Sequence, residues 1–166
     1  MAIPFNRFVA VEAFGIAASN AGVNALYTWW LWRSQNPLTL FGLHGVGLDL
    51  ATTPAVIAFL STLLGTAAIR SKLSDGRVAN PGLRASALLG LTPEHVLIRS
   101  VVLAAACGAF LGTPLLLLLA ASGVGEVTLV QASLAKVAIT IAMSLAIVPV
   151  VIHCALGDVQ RARALA

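Results

Sequence analysis

The chain has 166 residues, of which 59% are hydrophobic and only 10% charged, and its net charge is +4. Soluble domains carry about 25% charged residues, so this composition excludes an ordinary soluble protein and indicates a membrane protein. All the cations except Lys136 lie outside the apolar runs or near their ends, and they form no basic stripe interleaved with aromatic residues, which argues against a nucleic-acid partner.

The first apolar run covers residues 8–32 and predicts a transmembrane helix, because about 20 apolar residues cross roughly 30 Å of hydrocarbon. A helical wheel places Glu12, Asn20 and Asn24 on one side of it, so that side must face protein or water. Aromatic residues followed by Arg33 end the run, as is typical of a bilayer interface. A short turn leads to a second predicted span, residues 46–69, with Asp49 near its start.

The connection from Arg70 to Arg99 is rich in arginine and lysine. Within it, Asn80-Pro81 is typical of a helix start, and the apolar residues that follow up to Leu91 favour one side. We therefore expect a short interfacial helix on the membrane surface, with anionic lipid bound at this connection.

The third predicted span covers residues 93–122, and the fourth covers residues 127–156. Small residues recur at every fourth position of the third span, at Ala104, Gly108 and Gly112. Such a stripe allows close helix packing in lipid and predicts a packing seam. The fourth span carries Lys136 and Thr140 on one face. Together the four runs predict an all-α, integral membrane four-helix bundle with short loops, in which residues 1–166 form a single transmembrane domain.

Orientation follows from the cations, because positively charged residues accumulate on the cytoplasmic side. Eight of the ten lie at the two termini and in the central connection, whereas Arg33 lies on the other side and Lys136 within a span. We expect both termini to be cytoplasmic, in a bacterial inner membrane.

Depth along the spans predicts which ionisable residues meet. Asp49 lies at the outer end of the second span, and Lys136 lies within reach of it in the outer half of the fourth. An unpaired charge in a span is costly, so we expect an Asp49–Lys136 ion pair. Glu12 is predicted at the level of His153, which makes a hydrogen bond between them one expectation. Arg70 or Arg99 is the alternative partner of Glu12.

Two interpretations of the buried polar residues stay open. In the first, they hold the helices together and fix their register. In the second, they line a path for a small polar solute, ion or proton. The set comprises Glu12, Asn20, Asn24, Asp49, Lys136, Thr140 and His153.

Catalytic and metal-binding motifs are not found. The sequence has no HExxH, no GxSxG and no glycine-rich phosphate loop, and its three histidines are not spaced for a metal or haem. We expect no enzyme activity, no cofactor and no metal. The predicted function is that of a small transporter or permease-like protein, and the alternative is an accessory or scaffold subunit of a larger membrane complex. The small-residue seam and the limited polar interior of four helices predict a homo-oligomer or a membrane protein partner.

Overall fold

The computed structural model describes residues 3–35, 37–42, 45–75, 78, 93 and 95–164. Within these residues the chain is almost entirely helical, and four helical spans are long and apolar enough to cross a membrane. The all-α character and the four apolar spans predicted from the sequence are thus confirmed. The interfacial helix expected between Asn80 and Leu91 lies outside the described residues.

The four spans consist of five α-helices and one π-helical segment. In chain order these are α1 (Phe5–Trp32), α2 (Val46–Ser74), α3 (Val96–Cys107), the π segment (Gly108–Gly112), α4 (Thr113–Ala121) and α5 (Leu129–Ala164). Three helices are longer than predicted, since α1 begins at Phe5 rather than at residue 8, α2 extends past residue 69 and α5 past residue 156. The polar ends of α2 and α5 are held in helical form by the ion pairs described below.

Helices α2 and α5 form the centre of the bundle. Helix α1 packs along α5, and the third span packs along the opposite side of α2. Because α1 and α2 both lie on α5 but hardly touch each other, a groove runs between them with α5 as its floor. The outer faces of α1 and of the third span expose large apolar side chains, as expected of surfaces in contact with lipid.

The small-residue stripe of the third span faces α2 of the same chain. A Cβ atom added at Gly108 would lie 3.5 Å from the Cβ of Ala55, and one added at Gly112 would collide with the carbonyl oxygen of Ala51. The predicted seam therefore exists, but it is filled within one chain. It gives no support to the expected homo-oligomer, because the stripe has its packing partner in α2.

The π segment lies directly before Pro114, at the start of α4. A proline has no N–H and its ring collides with the carbonyl four residues earlier, so a wider turn relieves both problems. The hydroxyl of Thr113 donates a hydrogen bond to the carbonyl of Gly108, five residues back, at 3.2 Å. This local widening lets one continuous span carry a proline.

Two short strands close one end of the bundle. Strand β1 (Leu38–Thr39) pairs antiparallel with β2 (Glu126–Val127), a pairing that the sequence analysis did not predict. The carbonyl of Leu40 then accepts a hydrogen bond from the N–H of Gly47 at 2.9 Å. A Cβ atom at Gly47 would lie only 2.5 Å from that oxygen, so glycine is required for this close approach.

The start of α1, the end of α2 and the end of α5 meet at the opposite end of the bundle. The ring of Phe5 packs edge-to-face against His153, with the ring centroids 5.5 Å apart. Ile3 forms an isolated parallel bridge with Val78. The two ends of the molecule are thus distinct, and we call them the hairpin end and the terminal end.

Candidate binding cavity between the first two helices

A cavity of about 480 Å³ lies in the groove between α1 and α2, over α5. This volume falls within the range of about 300–1,000 Å³ typical of small-molecule sites. The polar part of its lining consists of Asn20, Asn24, Tyr27, Asp49, Thr52, Thr53, Ser61 and Lys136, and the apolar part of Val23, Val56, Ile57 and Leu60. Polar groups from three helices therefore converge on one cavity.

The ion pair between Asp49 and Lys136 lies at the floor of the cavity. Lys136 Nζ is 2.8 Å from Asp49 Oδ1 and 2.6 Å from Oδ2, so the ion pair predicted from the sequence is present. The carboxylate belongs to the first turn of α2, where the helix dipole favours a negative charge. Lys136 begins two turns inside α5, and its side chain is only 4% exposed.

Tyr27 covers the ammonium group from the side of α1. Lys136 Nζ lies 4.6 Å from the centroid of the Tyr27 ring, which is a cation–π contact. The Asp49 side chain is 22% exposed and therefore more accessible from the cavity than the lysine. The pair thus presents its anionic member outward and keeps its cationic member deeper, beneath an aromatic ring.

Two carboxamides of α1 form the neighbouring wall. Asn20 Nδ2 donates a hydrogen bond to Ser144 Oγ on α5 at 3.0 Å, and Asn24 Nδ2 donates one to the backbone carbonyl of Asn20 at 3.0 Å. The side-chain oxygens of both asparagines accept no hydrogen bond from any residue that the structure describes. Both acceptors are consequently free to bind a donor that enters the cavity.

Thr140 does not line this cavity, although it lies one turn from Lys136. Its side chain is fully buried, and its hydroxyl has no hydrogen-bond partner among the described residues. Ser144, one turn further, receives the Asn20 bond. The polar face predicted on the fourth span therefore exists, but only its first member, Lys136, reaches the cavity.

Glu12 and His153 lie at the terminal end, away from the cavity, and the predicted hydrogen bond between them is wrong. The carboxylate of Glu12 instead accepts hydrogen bonds from Lys72 Nζ at 2.7 and 2.8 Å. Lys72 reaches it because α2 continues as a helix beyond residue 69. His153 packs against Phe5 instead.

The alternative partners of Glu12 are also wrong, because Arg70 and Arg99 both bind Asp158. Arg70 Nη2 donates to Asp158 Oδ2 at 2.5 Å, and Arg99 reaches both carboxylate oxygens at 3.0 Å. Arg99 also donates from Nε to the carbonyl of Pro93 at 3.0 Å. We call Arg70, Arg99 and Asp158 the arginine clamp, since it joins α2, α3 and α5.

Asp158 is not among the site residues predicted from the sequence, because the predicted fourth span ends at residue 156. A signal was present, since Asp158 follows the buried Cys154 by four residues on the same side of the helix. Extending the helical period by one turn would have placed Asp158 on the packed face rather than in a tail.

Metal-binding groups do not cluster in the part of the chain that the structure describes. No three residues among histidine, cysteine, aspartate and glutamate come together there in a way that could hold a metal ion. Cys107 and Cys154 are both buried and are not joined in a disulfide. The cavity between α1 and α2 is thus the candidate site, and its chemistry is that of one ion pair and two amides.

Comparisons with protein-family models, curated proteins and solved structures find no match to this chain.

Proposed function

We propose that this protein is a small membrane transporter or permease-like protein that binds a polar solute in the cavity between α1 and α2. The observation that carries the proposal is the convergence of Asp49, Lys136, Asn20 and Asn24 on one cavity of about 480 Å³. Polar groups that only hold helices together need no space between them. Ionisable residues that face a cavity inside a span are by contrast typical of substrate or ion pathways.

The proposed orientation places the terminal end in the cytoplasm and the cavity in the outer half of a bacterial inner membrane. The excess of Lys and Arg near the terminal end supports it, because such residues accumulate on the cytoplasmic side. The same excess supports contact of the connection between α2 and α3 with anionic lipid. In this orientation a solute enters the cavity from outside, past Asp49.

Access of water to the cavity is the first test. Asn24→Cys places a thiol in the cavity wall, and Leu26→Cys places one on the exposed outer face of α1, two residues further. A charged, membrane-impermeant thiol reagent added to intact cells should modify the first and spare the second, because the reacting thiolate forms only in contact with water. The native cysteines are buried and give a low background.

Equally slow modification of both variants from either side of the membrane, in intact cells and in inside-out vesicles, would show that the cavity is dry and would overturn the proposal. Rapid modification of Asn24→Cys alone supports it. Rapid modification from the cytoplasmic side only would reverse the proposed orientation and leave the site in place.

Flux is the second test. Liposomes containing the purified protein are assayed with radiolabelled leucine, tetraethylammonium, lactate and glucose, which represent zwitterionic, cationic, anionic and neutral solutes. We expect uptake of at least one probe by the wild type and its loss in the double variant Asp49→Asn/Lys136→Gln. The matched control is Glu12→Gln/Lys72→Gln, which neutralises an ion pair outside the cavity and should keep the flux. Uptake of every probe at the rate of protein-free liposomes would favour the accessory subunit instead.

A further inference from the structure

We infer that the cavity selects a zwitterion with an apolar part, that is, a molecule that carries one cationic and one anionic group beside an aliphatic chain. This inference rests on the proposed function and names the class of its substrate. It follows from three properties of the cavity: its charge balance, the placement of its free acceptors and the composition of its rim.

The charge balance disfavours a ligand with a single charge. Asp49 and Lys136 neutralise each other, and Lys136 is almost completely buried. A cation that binds Asp49 draws the carboxylate away from Lys136, and an anion that binds Lys136 draws the ammonium away from Asp49. Either ligand binds one member of the pair and leaves the other without its partner, which is unfavourable, most of all for the buried Lys136. A zwitterion instead replaces one ion pair with two.

The hydrogen-bond acceptors of the cavity determine the orientation of a bound zwitterion. Asp49 is the more accessible member of the pair, and the free side-chain oxygens of Asn20 and Asn24 line the same cavity. An ammonium group has three donors and no acceptor, so it matches a carboxylate flanked by amide oxygens. The anionic group of the ligand then reaches Lys136 beneath the Tyr27 ring.

The rim of the cavity is apolar and open. Val23, Val56 and Leu60 line the cavity and are at the same time well exposed on the surface of the bundle. They provide a place for an aliphatic chain beside the charged floor. Two sources share this chemistry: a free amphipathic zwitterion, such as an amino acid with an aliphatic side chain, and the headgroup of a zwitterionic lipid whose chain lies in the groove.

The experiment is equilibrium binding of radiolabelled leucine to the purified full-length protein, with two single-charge competitors. The competitor 4-methylpentanoate lacks the ammonium of leucine, and 3-methylbutylamine lacks its carboxylate. We expect each to compete at least about tenfold more weakly than unlabelled leucine, because each leaves one member of the ion pair unmatched. This comparison uses the wild type and does not depend on how a variant folds.

The lipid arm uses nanodiscs of phosphatidylethanolamine or of phosphatidylglycerol. If a lipid headgroup occupies the site, the zwitterionic lipid should protect the Asn24→Cys thiol from modification about tenfold better than the anionic lipid, and leucine should not bind in phosphatidylethanolamine. If a free solute is the ligand, leucine should bind equally in both lipids.

The inference is overturned if either single-charge analogue binds as tightly as leucine, or if neither leucine binding nor selective lipid protection is found. In both cases uptake of tetraethylammonium, lactate or glucose would leave the proposed transport function standing. The absence of uptake for all four probes would overturn the proposed function itself, so the two failures are distinguishable.

Discussion

Two groups of charges join α2 to α5, and they differ in how completely they are satisfied. In the arginine clamp, one carboxylate is surrounded by two guanidinium groups, and Arg99 also binds the carbonyl of Pro93. In the cavity, one ammonium faces one carboxylate, beside asparagine oxygens that accept no bond from the described residues. In the clamp, protein groups bind both oxygens of the Asp158 carboxylate and the buried Arg99 guanidinium, whereas the cavity pair lies beside two carboxamide oxygens that no described residue binds.

This is the difference expected between charges buried for stability and charges that bind a ligand, as proposed for the cavity pair. A charge placed in a span costs free energy, and that cost is offset when the surrounding protein supplies every bond. The Asp158 carboxylate and the buried Arg99 come close to this description, and their contacts join α3 to α5 at the terminal end. The cavity pair fits it only in part, because Asp49 is partly exposed and the groove above it is open. The predictions that follow test this contrast, from the largest expected effect to the smallest.

Breaking the clamp should have the largest effect on stability. Asp158→Asn removes the carboxylate from Arg99, whose side chain is only 2% exposed, and should cost about 3–5 kcal/mol in the free energy of unfolding. Arg70→Gln is the matched control and should cost less than about 1 kcal/mol, because Arg70 is 37% exposed and Arg99 keeps its partner. Denaturant unfolding in detergent measures both. Equal losses would show that Arg99 does not depend on Asp158.

Breaking the cavity pair should cost less. Lys136→Met leaves Asp49 without its cation, but the carboxylate is open to the cavity and can recover water, so we expect a loss of about 2 kcal/mol. The double variant Lys136→Met/Asp49→Asn should return to within about 1 kcal/mol of the wild type. The charge swap Asp49→Lys/Lys136→Asp should also restore most of the loss caused by either single reversal. Additive losses in both double variants would mean that the two residues do not interact.

The same contrast shows how far the sequence predicts this molecule. Long apolar runs predict the spans, because length and hydropathy decide membrane insertion whatever the tertiary packing. Depth along a span predicts that Asp49 and Lys136 meet, because each lies at a measurable distance from its helix end. Both predictions depend only on how deep a residue lies in the membrane.

The remaining contacts depend on which helix lies beside which, and depth does not determine that. Glu12 and His153 lie at similar depths, but α2 brings Lys72 to the carboxylate and Phe5 covers the histidine. The cavity itself exists because α1 and α2 both pack on α5 and leave a groove between them. Which helices are neighbours depends on how side chains pack between them. The periodicity of a single sequence carries no information about that packing.

The small-residue seam offers a test that does not involve charge. Gly112→Ala should cost about 1–3 kcal/mol, because the added methyl collides with the Ala51 carbonyl in a tightly packed crossing. Gly108→Ala should be neutral or stabilising, since its Cβ meets only the Ala55 methyl at 3.5 Å and alanine favours a helix over glycine by roughly 0.5–1 kcal/mol. Thermal unfolding of the two variants compares them directly. If both are destabilised alike, the stripe is not packed against α2 as described.

The smallest effect on stability is expected for Asn20. Its size tests whether this residue of the cavity wall serves only to hold helices together. Its hydrogen bond to Ser144 should contribute about 0.6 kcal/mol, the average for such bonds between membrane helices. A double-mutant cycle with Asn20→Ala and Ser144→Ala measures the coupling, and Asn24→Ala paired with Ser144→Ala should show none, because Asn24 donates within its own helix. A coupling above about 2 kcal/mol would place Asn20 with the arginine clamp, as a residue that holds helices together. A small coupling together with lost binding of leucine in Asn20→Ala would mean that this amide has capacity left for a ligand, as proposed for the ion pair beside it.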